Sequence, residues 1–223
     1  MKDIKMQQRA VLGLAILLAA GLIIAGTVFA EEASGAKEEA ECDGPEWESL
    51  FNGKDLTGWA NVGGSVWTVE DKCLVGKQGP GNAPGDLFTK KKYGDFELVV
   101  TYKIQWPANS GVWFRYQNPS KAYQADILEY KDPECYSGTI YCSGKMFLSM
   151  NEDPDLVKKD DWNTIKIHAK GDHLVVSLNG VVTGDVHDGD IDKGRIGFQI
   201  HAGDQFKDMK ITVKEMKIRT LSE

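Results

Sequence analysis

Residues 111 to 130 read GVWFRYQNPSKAYQADILEY, two strand-like runs around a short polar loop. Each run carries a charge where a sandwich core would want a hydrophobe: Arg115 in the first, Asp126 in the second. A guanidinium can hold developing negative charge, and a carboxylate can take or give a proton. Burying either one unpaired is costly, so the two must face water, each other or a ligand. Further along, RIGFQIHAG brings Gln199 and His201, and SGTIYC brings Tyr141. Arg, Asp, Gln, His, Tyr and Trp on one surface would suit a sugar, with rings stacking on its apolar faces and amides and charges binding its hydroxyls.

Strands must position these groups. FELVVTYKI, TIKIHA, LVVSL and MKITVKEMKI alternate or run apolar and are rich in Val, Ile and Thr. Lys170-Gly171-Asp172 separates two of them, and Asn179-Gly180 is the pair that favours a type I′ hairpin. PDLVKKDDW alone has the look of a helical turn. About a dozen strands with no long helix predict an all-β fold, a two-sheet jelly-roll sandwich. Side chains alternate between the faces of a strand, so period two sorts the polar groups. Val112, Phe114 and Tyr116 fall on one face, with Gly111, Trp113 and Arg115 opposite. Ala125 and Ile127 share the core-like face of the second strand, with Gln124, Asp126 and Leu128 opposite, while Phe198 and Ile200 oppose Gln199 and His201. Arg115 and Asp126 then form either a cross-strand ion pair, worth about 0.2–1 kcal/mol, or part of one concave pocket with His201, walled by Tyr141 and Gln199.

The ends and the charge bound the rest. Lys2, Lys5 and Arg9 precede an uncharged apolar run from Ala10 to Ala30, and Val28-Phe29-Ala30 offers small residues before a cut. This is the layout of a secretory signal peptide over residues 1–30. The run is about 20 residues long, enough to span a bilayer as an uncleaved membrane anchor instead. Either way the rest of the chain is expected to be exported, to the periplasm or the extracellular space if the segment is cleaved and held at the membrane if it is not. Residues 31–46 open with EEASGAKEEAECDG and read as a solvated acidic linker, leaving 47–223 as one domain. Without the three basic residues and one acidic residue of the first thirty, 23 basic and 32 acidic side chains remain, a net charge of −9. That balance argues against nucleic acid and anionic membranes as partners. Cys42, Cys73, Cys135 and Cys142 allow three pairings in an oxidising compartment; Cys135 and Cys142 bracket a glycine, and their pairing is the first expectation. Neither C-x-x-C nor closely spaced histidines support zinc. VHDGDID is aspartate-rich but lacks the spacing of a known calcium loop, so no cofactor is expected.

ESLFNGKDLTGW, VWTVEDKCLVG, LFTKKKYGDFELVVTYKI, NSGVWFR, DDWNTIKI, LNG and GRIGFQIHAG, in this order, resemble the 3-keto-disaccharide hydrolase domain family. The resemblance runs over residues 47–220 and implies a concanavalin-like jelly roll acting on glycosides already oxidised to a ketone at sugar C3. It implies Arg115 after the Asn109-Ser110-Gly111 lead-in, and His201 with Gln199 two before it. In the middle strand this chain has Gln124 where the family often has a glutamate, and Asp126 two residues on; the terminal acid is kept as Glu129.

A C3 ketone acidifies the C2 proton, so a weak base can remove it. Asp126 or His201 could be that base, with Glu129 as the acid retained from the family pattern. Arg115 would stabilise the enolate, and Tyr141 or a protonated His201 would assist the leaving group. Gln199, Trp113, Gln124 and Asn109 would bind substrate. A conventional glycosidase would need two opposed carboxylates, which Gln124 disfavours. No nucleotide loop is present, so oxidation of the sugar would fall to a partner oxidoreductase. The other function class left open is a non-catalytic lectin-like carbohydrate-binding module.

Overall fold

The computed structural model of the chain describes residues 45–159 and 161–222. The predicted signal peptide, most of the acidic linker and Cys42 lie outside them. Fifteen strands follow one another: β1 (Glu48–Ser49), β2 (Trp59–Gly63), β3 (Val66–Glu70), β4 (Cys73–Lys77), β5 (Gly85–Thr89), β6 (Phe96–Ile104), β7 (Asn109–Asn118), β8 (Lys121–Lys131), β9 (Glu134–Cys142), β10 (Met146–Asn151), β11 (Asn163–Lys170), β12 (His173–Leu178), β13 (Val181–His187), β14 (Arg195–Ile200) and β15 (Lys210–Thr220). The helical look of PDLVKKDDW reduces to a single 3-10 turn, Pro154–Leu156.

Two antiparallel sheets take up these strands. One has the order β13-β12-β11-β6-β15-β4-β3, with β1 also on β15; the other has the order β10-β9-β8-β7-β14-β5-β2. Asn179 and Gly180 both take positive φ, +51° and +90°, in the turn between β12 and β13, as an Asn-Gly hairpin requires. Alternation then does the packing. Leu98, Val100 and Tyr102 of β6 meet Val112 and Phe114 of β7, Ala125 and Ile127 of β8, and Phe198 of β14 in one core between the sheets. The polar partners of that alternation are left on the outer face of the second sheet.

Period two fails along β7, and the failure moves two residues. Along β7, Trp113 pairs with Gly197 and Tyr116 with Arg195, so three β7 steps match two on β14. The extra residue is Arg115, in the left-handed region at φ +49°, which is a β-bulge. Gly194 lies against it so closely that a Cβ there would sit 2.1 Å from the Arg115 carbonyl carbon. Downstream of the bulge the faces exchange. Tyr116, expected in the core, instead stacks on Phe88 (4.0 Å between centroids) in a small outer-face cluster with Trp113 and Ala122.

The expected Cys135–Cys142 bridge is not formed; both thiols are free. The two residues stand at opposite ends of the single strand β9 rather than around a turn. Seven steps at ~3.3 Å put them roughly 20 Å apart, against the 7 Å limit between bridged Cα atoms.

Candidate functional site

Register carries the polar groups into rows across the outer face. Gly111 of β7 lies between Gln199 of β14 and Asp126 of β8. One row further, Gly197, Trp113, Gln124, Tyr141 and Phe147 align across β14, β7, β8, β9 and β10. Gly111 is required where it stands: a Cβ would come within 2.5 Å of the Gln124 side chain, which therefore lies over it. The result is a cavity of about 220 Å³, lined by Asn109, Trp113, Gln124, Asp126, Tyr141, Gln199 and His201 together with Leu128, Tyr130, Met146 and Phe147. Seven of the nine residues singled out in the sequence thus converge on one pocket.

Asp126 is the group least at ease there. It is 2% exposed. No hydrogen bond or counter-ion reaches its carboxylate among the described residues, and burial alone holds the carboxyl well above the usual carboxylate range. The Nε2 of Gln124 is likewise buried without a partner among the described residues. Unsatisfied buried groups of this kind are costly to the fold and cluster where a ligand completes them.

His201 is held by its backbone and oriented by its ring. Its N–H donates to the Asn109 carbonyl (3.3 Å), and its own carbonyl accepts from Gln78 Nε2 (2.8 Å). Nδ1 lies 2.7 Å from the Ala202 carbonyl oxygen, which can only accept. The proton therefore sits on Nδ1, and a neutral ring presents the lone pair of Nε2. Tyr141 packs edge-on between Trp113 and Phe147 (6.3 Å to each). Trp113 is in turn pinned by its Nε1–H, which donates to Asp86 Oδ1 at 2.8 Å. The rings are thus fixed before any ligand arrives.

Two expected site residues lie elsewhere. Arg115 is fully buried and makes no pair with Asp126. Its guanidinium donates to the carbonyls of Gly94 (3.0 Å), Gly171 (2.7 Å) and Ile191 (3.0 Å) and to Asp95 Oδ1 (2.9 Å). The bulge is the reason: it turns Arg115 off the outer face and into the loops beside the strand. Glu129 is ion-paired with exposed Lys159; it follows Leu128 on β8 and so points away from the row that carries Asp126. In the aspartate-rich loop, Lys145 bridges Asp188 and Asp190. Asp86 was missed in the sequence. Its signal was present, since Leu87 is a core residue and alternation puts Asp86 and Phe88 on the opposite face.

A family model, the 3-keto-alpha-glucoside-1,2-lyase-like domain, matches residues 46–218. The chain belongs to that family. It therefore carries a carbohydrate-active hydrolase/lyase-like domain. A 3-keto-disaccharide hydrolase of Bacteroides thetaiotaomicron is 32% identical over 98 residues, which are 39% of this chain and 34% of that one. The match thus spans about a third of that relative's length. Among solved structures, a candidate glycosyl hydrolase from Parabacteroides distasonis superposes with a TM-score of 0.62 at 21% identity, over 79% of this chain and 94% of the other. A galectin-like protein of unknown function from Bacillus subtilis gives 0.63 at 17% identity, over 78% and 94%. These likenesses establish the fold as the jelly-roll sandwich that the sequence predicts.

Proposed function

We propose that this member of the 3-keto-alpha-glucoside-1,2-lyase-like family cleaves 3-keto-glycosides in the outer-face pocket. The observation that carries the reading is Asp126, a buried carboxyl without a partner among the described residues, which lines a cavity of about 220 Å³ together with His201. Asp126 takes the proton from C2, and the electron pair moves onto the C3 oxygen as an enolate. The Gln124 amide N–H, buried and without a partner among the described residues, takes the role of donor to that oxygen that Arg115 was expected to fill. The enolate re-forms its carbonyl and expels the C1 oxygen, which takes a proton from the Tyr141 hydroxyl or from His201 in its doubly protonated form, Nε2–H being the donor. Water then adds at C1 of the resulting enone, giving its proton to the group that protonated the leaving oxygen, and the proton held by Asp126 returns to C2. The net change is hydrolysis, with no electrons gained or lost.

The ketone itself must come from a separate sugar oxidoreductase, since removing hydride from C3 needs an acceptor that none of these steps uses. The aromatic walls (Trp113, Tyr141, Phe147) would equally hold a sugar without cleaving it, which is the binding-module alternative. The test is to incubate the purified domain with a 3-keto-glucoside carrying a chromogenic leaving group, beside the unoxidised glucoside. Chromophore released only from the keto substrate is the expected result. Binding of both without release would leave a carbohydrate-binding module.

Export belongs to the same reading, because the charged start, apolar run and small residues before Glu31 form a signal peptide. N-terminal sequencing of protein secreted from a bacterial host should begin at Glu31. Recovery of the intact chain with the membranes would make the first thirty residues an anchor.

A further inference from the structure

Beyond the wall made by Gln199 and His201 the outer face dips again. A second depression of about 360 Å³ is lined by Val62, Gly63, Pro84, Gly85, Asp86, Ile200 and Ala202, and shares Gln199 and His201 with the first. Register ties the two together. Asp86 pairs with Gln199, Gln199 with Gly111, and Gly111 with Asp126, so the two carboxylates end one row across β5, β14, β7 and β8. Residues directly opposite in paired strands share a face. Three strand steps at ~4.8 Å put their backbones roughly 14 Å apart, longer than one pyranose ring needs. The first cavity alone, at about 220 Å³, is smaller than the ~300 Å³ at which pockets for whole ligands begin.

Asp86 is equipped for a hydroxyl. Oδ1 already accepts from Trp113 Nε1, which fixes the carboxylate, and Oδ2 has no partner among the described residues. Around it the wall is small and apolar (Val62, Pro84, Ala202), and Val62 is 45% exposed. A carboxylate beside an apolar shelf is what a sugar ring uses: hydroxyls to the one, C–H face to the other.

We infer that this second depression is the subsite for the leaving sugar, with Asp86 as its specificity-determining residue. The inference rests on the proposed cleavage in the first pocket, and it places the scissile oxygen at the shared wall, within reach of His201. A leaving sugar ring then contacts Asp86 and the shelf of Val62 and Pro84, and a leaving group without a ring forfeits those contacts.

Two substitutions test it: Asp86→Asn, which keeps an acceptor for Trp113 but removes the charge, and Val62→Trp, which fills the depression from an exposed position. The readout is the ratio of kcat/KM for a 3-keto-disaccharide to that for methyl 3-keto-glucoside. Each variant should lower that ratio at least tenfold, and a ratio within twofold of the parent's overturns the subsite. If the parent cleaves neither compound, the cleavage reading fails while the subsite is still decided by calorimetric affinities for the unoxidised disaccharide and methyl glucoside. A parent that shows no preference for the disaccharide in either assay also overturns it.

Discussion

Arg115→Ala is expected to cost the domain about 3–5 kcal/mol, the range for breaking a buried, hydrogen-bonded ion pair from one side. The substitution leaves three carbonyls and the Asp95 carboxylate without their donor, in a place where the arginine is fully buried. Those acceptors belong to the segment before β6, the β11–β12 turn and the segment between β13 and β14. One side chain therefore fastens three connections to β7. At ~2–4 °C per kcal/mol for a domain of this size, the melting temperature should fall by roughly 6–20 °C. Arg115→Lys should recover part of this at most, because an ammonium cannot reproduce the planar fork that meets four diverging acceptors. A thermal melt of the alanine variant within 2–3 °C of the parent would show that these contacts do not hold the loops. Any loss of activity in Arg115 variants should follow the melt, and vanish when assayed well below it.

Asp126→Asn should separate activity from stability in the opposite sense. Turnover of a 3-keto-glycoside should fall at least a hundredfold, the lower end of what a positioned general base contributes. His201→Ala should lose a comparable factor if it protonates the leaving oxygen. The same Asp126→Asn protein should be more stable than the parent at alkaline pH. Burial raises the folded-state pKa of Asp126 above its unfolded value near ~3.9. Between the two values the folded state holds more protons than the unfolded state, so stability falls as pH rises through that window. The contribution is fully present below the unfolded pKa and is gone above the folded one. Asparagine has no proton to lose. The two melts should therefore coincide more nearly at pH 4 and diverge by about 1–3 kcal/mol at pH 8, the scale for a buried polar group without a partner. In the parent, the acid limb of the pH–rate profile should lie above the ordinary carboxylate range, since only the ionised form removes a proton. Turnover near the parent's in Asp126→Asn would remove Asp126 from the reaction.

Faces were legible in the sequence wherever strands run without interruption. Asn109, Gly111 and Trp113 precede the bulge on β7; Gln124, Asp126 and Leu128 follow one another on β8; Gln199 and His201 close β14. Two-residue counting was enough for all of these, because alternation is enforced by the core on the other side. Arg115 was illegible for one reason. A bulge adds a residue without any compositional mark, so counting from Trp113 gives the wrong face for everything after Phe114. Glu129 came from resemblance alone, and its own strand already counted against it. The cysteine expectation failed because a glycine inside GTIY was read as a turn, whereas Gly138, at φ +93°, sits within a continuing strand. Asp86 needed no new principle, only the same alternation applied to GDLF.

The bulge also acts on β7 as a frameshift acts on a message. Upstream of Arg115 the strand is read in one phase and downstream in the other, so the single extra residue decides that Tyr116 faces outward, stacked on Phe88 and covered by Arg195. Substituting Arg115 leaves that phase intact. Deleting it would restore strict alternation, turn the Tyr116 ring toward a core already filled by Phe114 and Phe198, and strip Phe88 and Arg195 of a ring that packs against both. Among relatives of this fold, gain or loss of one residue here would exchange the faces of the β7 end in a single step, so roles should be matched across such chains by phase and not by aligned position alone.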